Sequence, residues 1–140
     1  MRFMIIRKAD AETEAGLMPS EELIAAMGRY NEEMVKAGVL LDASGLQSST
    51  KGARVKFSHG KPTVIDGPFT ETKELVAGYS IIQVASKDEA IEWVKRWPVE
   101  DSHGAAYIEI RQLFELEDFG PSAAIDRMIE VGFSDKKQDQ

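Results

Sequence analysis

Four ionisable side chains, Asp66, Glu71, Lys73 and Glu74, fall within nine consecutive residues of the 140-residue chain. A carboxylate of suitable pKa can serve as a general base, a second carboxylate can join it, and an ammonium can stabilise developing negative charge. Apolar surroundings would strengthen these interactions and shift the pKa values. A lysine next to a carboxylate depresses its pKa, however, which weakens it as an acid. The same residues also suit a solvated loop or a structural ion-pair network. Asp66 has two readings: it closes a turn by bonding nearby backbone N–H groups, or it takes part in chemistry directly. Phe69, inside the same stretch, is a candidate ligand contact. Asp42 and Ser44 are weaker candidates; two apart in an extended segment, they share one face, and a polar strand end is the alternative.

The elements around this stretch must hold it in place. Thr63-Val64-Ile65 is β-branched and suits a strand. Asp66-Gly67-Pro68 stops it, since Pro68 fixes its own φ and has no N–H for a sheet. Leu75–Val84 then resumes apolar, with Gly78 where a side chain would not fit. Ala53–Ser58 and Lys61–Ile65 flank His59-Gly60, a spacing that predicts a β-hairpin delivering the chain to Asp66. His59 is then a tip residue, and His103 lies in a loop before Gly104.

Phe3–Ile6 is a short continuous apolar run, and Ala77–Val84, with Ile81, Ile82 and Val84, is a second apolar strand; both are expected to be central. Ser20, followed by Glu21 and Glu22, predicts a helix start. Leu23, Ile24, Met27, Tyr30, Met34 and Val35 form its apolar stripe, and Gly38 stops it. Ser86 and Glu89 form a capping box for a second helix, with Ala90, Ile91, Val94 and Trp97 inward and Pro98 as its end. Core packing is the default role of Trp93 and Trp97. Ala9–Met18 and Val99–Ala106 read as loops. Tyr107–Leu116 alternates as a half-exposed strand, with Ile108, Ile110, Phe114 and Leu116 on one face. A short helix around Ile125, Met128 and Ile129 follows, stopped by Gly132, and Ser134–Gln140 is polar and frayed. The order is β-α-β, a hairpin, β-α-β and a tail helix, which packs as helices on one sheet face. The tail helix or a second subunit must cover the other face.

Composition narrows the function classes. The chain carries 17 basic and 24 acidic residues, a net charge of −7, with no concentrated basic tract, which argues against nucleic-acid binding. There are no cysteines, so disulfides and thiolate chemistry are excluded. No apolar run is long enough for a membrane span or a signal peptide, and a cytoplasmic location is expected. Two distant histidines make a poor metal site, and no phosphate-binding glycine loop or nucleophile elbow appears. No metal or cofactor is expected.

DGPF at Asp66–Phe69, followed by TETKE at Thr70–Glu74 and Gly78-Tyr79, resembles the DGPF-type branch of the YCII-related proteins. The resemblance runs from Met1 to about Phe119, giving a domain over 1–119 and a C-terminal helix and tail over 120–140. It implies an α+β, ferredoxin-like β-α-β-β-α-β fold of the dimeric α/β-barrel type, and a homodimer. An acid–base role through a His–Asp pair is proposed for some YCII relatives; neither His59 nor His103 stands at the matching place. DGPF relatives are often associated with extracytoplasmic-function sigma factors, which implies a regulatory setting. Two functions follow as expectations. One is a homodimeric ligand-binding or regulatory protein for a small molecule. The other is a small acid–base enzyme working through Asp66 and the Glu71–Glu74 segment.

Overall fold

The apolar runs at the start and middle of the chain form the two central strands of an antiparallel sheet. The computed structural model describes residues 1–133. Its strands are β1 (Arg2–Lys8), β2 (Leu40–Gly45), β3 (Ala53–Ser58), β4 (Lys61–Asp66), β5 (Val76–Gln83) and β6 (Ile108–Gln112); its helices are α1 (Ala11–Glu14), α2 (Glu21–Lys36), α3 (Lys87–Val94) and α4 (Ala123–Glu130). The main sheet has the order β2-β5-β1-β6, and β3 and β4 pair separately as a hairpin. Without the hairpin, the order β-α-β-β-α-β and this strand arrangement make the fold ferredoxin-like.

Alternation along the central strands creates two unlike faces. Phe3 and Ile5 of β1 and Ile82 of β5 point to the helices, where they join Tyr30 and Met34 of α2 and Ala90 of α3 in the core. Tyr30 also donates its hydroxyl to the Trp93 carbonyl at 2.7 Å and packs edge-on against Trp97, tying the two helices together. Its phenol is pushed up to about 12, chiefly by burial. On the opposite face the strand register sets Met4 beside Ile81 and Arg111, Ile6 beside Tyr79 and Glu109, Asp42 beside Ile81, and Ser44 beside Tyr79. Among the described residues no helix packs extensively on this second face, and α4 has no extensive contact with the sheet.

Local signals set most element ends. The Ser20 hydroxyl accepts from Leu23 N–H, and Gly38 takes the left-handed conformation that stops α2. The Ser86 hydroxyl accepts from Glu89 N–H, but the Glu89 carboxylate accepts from Ala85 N–H, one residue before the cap. Three differences from the sequence expectations stand out. The stretch Ala9–Met18 contains α1, started by an Asp10–Thr13 capping box. The α2 stripe is narrower than expected: Ala26, Tyr30 and Met34 are buried, whereas Ile24 and Val35 are exposed, because the helix meets a sheet on one side only. The last strand stops at Gln112, since Leu113 N–H bonds the Arg2 carbonyl at the very start of β1 and no described strand continues as a partner beyond it. Phe114 is consequently exposed. The frayed tail expected at Ser134–Gln140 lies outside the described residues.

Candidate polar site at the DGPF end of the sheet

The chain leaves β1 and enters β5 at the same end of the sheet, where Ala9 N–H bonds Leu75 carbonyl at 2.9 Å. The DGPF turn, α1 and two short 3-10 helices, Ser49–Lys51 and Thr72–Glu74, gather there. The turn is held from outside. Gly67 N–H donates to the Gly52 carbonyl, and Phe69 N–H donates to the Ser49 hydroxyl at 3.0 Å. Ser49 in turn donates that hydroxyl to a Glu14 carboxylate oxygen at 2.5 Å, and its own N–H meets the other oxygen. Glu14 of α1 thus anchors the 3-10 helix, which anchors the turn. Glycine is obligatory at position 67: a Cβ there would stand 1.7 Å from the Ser49 carbonyl oxygen. At Gly78 the approach is looser, 3.1 Å from the Ser44 carbonyl oxygen.

The candidate residues are placed as follows. Asp66 ends β4 with an exposed side chain that makes no hydrogen bond among the described residues, so backbone bonds and Ser49 close the turn, not the Asp66 carboxylate. Glu71, Lys73 and Glu74 are exposed, and they form no ion pair with one another or with other described residues. Phe69 is half-buried beneath the Arg54 guanidinium, 3.9 Å from its ring centroid. Asp42 and Ser44 lie apart from the turn, on the uncovered sheet face, where Tyr79 donates its hydroxyl to Asp42 at 3.2 Å.

A second polar cluster at this end is one that sequence reasoning missed. Arg7 is 8% exposed and Asp101 6%. The guanidinium grips Asp101 through two bonds, Nε to Oδ2 at 3.0 Å and Nη2 to Oδ1 at 2.7 Å. It also donates to Asp10 at 3.1 Å and to the Lys8 carbonyl at 2.8 Å. Trp97 donates its indole N–H to Asp101, and Ser102 donates its hydroxyl to Asp10. Burial would raise both carboxyl groups, but the bonds prevail. Thr13 N–H, the Ser102 hydroxyl and the Arg7 charge hold Asp10 at about 2. Arg7 and Trp97 hold Asp101 below the usual carboxylate range, and Asp101 holds Arg7 above its own usual value. Ser102 and His103 both take left-handed backbone angles, unusual outside glycine, and the exposed His103 stands 3.7 Å from Glu12. The pairing of residues 94 apart leaves no local trace; the Asp10-x-x-Thr13 spacing of a helix cap was the one readable signal.

Electrostatically this cluster is a finished structure. Carboxylates stabilised so strongly in their charged form are weak bases at neutral pH. Four hydrogen bonds also occupy most of the Arg7 donors, which leaves little for a ligand. Among the described residues no group of three or more His, Asp or Glu is placed to hold a metal ion. None of the described helices is long and apolar enough to cross a membrane.

The YCII-related domain matches residues 1–117. The chain belongs to this family. Over 75 residues it is 35% identical to a protein of Rhizobium meliloti (strain 1021) that bears the name uncharacterized protein R00369. That match covers 54% of this chain and 60% of the relative, so the likeness spans less than two thirds of the relative's length. Among solved structures, 5-chloro-2-hydroxyhydroquinone dehydrochlorinase (TftG) from Burkholderia phenoliruptrix AC1100, in complex with 2,5-dihydroxybenzoquinone, is similar at a TM-score of 0.46. It is 16% identical, and the likeness covers 82% of this chain and 95% of that one. For this member of the YCII-related family the fold therefore rests on its own strand order and register.

Proposed function

We propose that this YCII-related protein is a homodimeric binding protein for a small organic molecule, with the ligand seated on the uncovered face of the sheet. One observation carries this reading. The face has an apolar centre, Met4, Ile6 and Ile81, bordered by the hydrogen-bonded pair Tyr79–Asp42 and by Ser44. An apolar floor with a few oriented polar groups is the usual make-up of a small-molecule site. A second copy laid over the face would supply the missing wall. The matching ligand is a small, largely apolar molecule carrying a hydroxyl or amine for the Asp42 carboxylate. In this reading the exposed charges of Asp66, Glu71, Lys73 and Glu74 act from the end of the sheet, orienting a polar substituent or the partner chain. A regulatory role would follow if occupancy altered the dimer.

The acid–base alternative draws less support. Asp10 and Asp101 are locked in their charged forms. Asp66 has no hydrogen-bonded partner among the described residues to orient it for proton transfer. Screening small phenols, amines and aromatic acids by thermal shift tests the binding reading, because a ligand that binds only the folded form raises the midpoint. Hits should weaken in Tyr79→Phe and Asp42→Asn. Hits unaffected by either substitution would place the ligand elsewhere and end the proposal.

A further inference from the structure

The β3–β4 hairpin stands apart from the main sheet as a separate two-stranded ribbon. All twelve of its strand residues are exposed. Its register pairs Val55 with Val64 and Phe57 with Pro62, which gathers these apolar side chains on one face. Val55, Phe57 and Val64 are 53%, 67% and 64% exposed. Lys56 pairs with Thr63, and Arg54 with Ile65, so Arg54 and Lys56 stand on the other face. A two-stranded ribbon is marginal in water unless its apolar side is covered.

A second exposed apolar surface lies where the chain leaves β6, at the opposite end of the sheet. Phe114 and Phe119 stack at 5.1 Å between ring centroids, yet both are exposed, as are Ile129 and Val131 beyond them. The two surfaces differ in charge. Residues 53–66 carry three basic side chains and one acidic, whereas residues 113–133 carry five acidic and one basic. Of the five, Glu115 is paired with Arg2 of β1, and the rest still leave the segment acidic. Two hairpins facing each other would repel; a hairpin facing the acidic aromatic segment would not.

We infer that the apolar face of the hairpin docks on the Phe114–Phe119 surface of a second copy of this chain, each arm of a symmetric pair clasping its partner. Four side chains on an arm fall short of the roughly 800 Å² per partner that a stable interface buries. The inference therefore rests on the homodimer reading above, in which the sheet face contributes the remainder.

The cysteine-free sequence permits a direct test. Phe57→Cys and Phe119→Cys chains are made separately, mixed, re-equilibrated and treated with a short bifunctional maleimide. Cross-linking between unlike chains is expected. Cross-linking only between two Phe57→Cys chains, or none at all, overturns the inference. Sedimentation of Phe57→Asp/Val64→Asp, with Ile81→Asp as a sheet-face control, separates the two claims. The arm variant should dimerise about tenfold or more weakly, the order expected on losing a buried apolar anchor. An arm variant that dimerises like the wild type while Ile81→Asp is monomeric overturns the arm and leaves the homodimer standing. A wild-type protein that is monomeric throughout overturns both.

Discussion

Asp101 and Asp10 show how much of this fold rests on single carboxylates far from any helix or strand centre. Replacing Asp101 by asparagine removes the charge that neutralises buried Arg7. Breaking one side of a buried pair costs more than the pair contributes, because the surviving charge is stranded. Asp101→Asn should therefore lose about 3 kcal/mol of unfolding free energy in urea titrations; a loss well under one would mean Asp10 takes over as the counterion. Asp10 and Asp101, both held below their ordinary range, contribute to the acid limit. The folded pKa of Asp10, about 2, lies below its ordinary 3.8, so the stability it contributes is complete above that ordinary value and disappears as pH falls toward 2. The wild-type melting midpoint should fall through this window, and Asp10→Asn should flatten that fall. Identical pH profiles would refute the assignment.

At the scale of elements, the turn behaves as a docked part. A methyl group at position 67 would collide with the backbone of the Ser49–Lys51 helix, which cannot yield as a flexible side-chain tip could. Gly67→Ala should cost about 2 kcal/mol, comparable to overpacking a core; an unchanged urea midpoint would show that the turn shifts freely. Ser49→Ala is milder, removing one acceptor from Phe69 N–H and one donor to Glu14, and should speed exchange at the Phe69 amide more than it lowers global stability. Much of this level could be read from sequence. The hairpin about His59-Gly60, the Ser20 and Ser86 caps and the two central strands all follow from local chemistry. The Arg7–Asp101 pair does not, because its partners meet only once β1 and the segment after α3 are packed. The candidate turn was visible as a motif, but its latch on Ser49 and Glu14 was not, since neither residue lies near it in sequence.

At the scale of the whole molecule, the two sheet faces decide what remains to be covered. The helix side is complete, with Phe3 and Ile82 fully buried. On the other side Met4, Ile6 and Ile81 stay half-exposed in a single copy. A dimer seated on that face would be broken by Ile81→Asp, since a buried charge without a partner is costly. Light scattering should then report half the wild-type mass while circular dichroism stays unchanged; an intact dimer would send the interface elsewhere.

The two tryptophans are both on the helix side, one bonded through its ring to Asp101 and the other lying 4.5 Å from the Arg96 guanidinium. Their emission spectrum is therefore a built-in optical gauge of the helix layer and of the Arg7 cluster. A molecule settling near Tyr79 would leave that light unchanged, whereas acid that uncouples Asp101 from the indole would shift its colour.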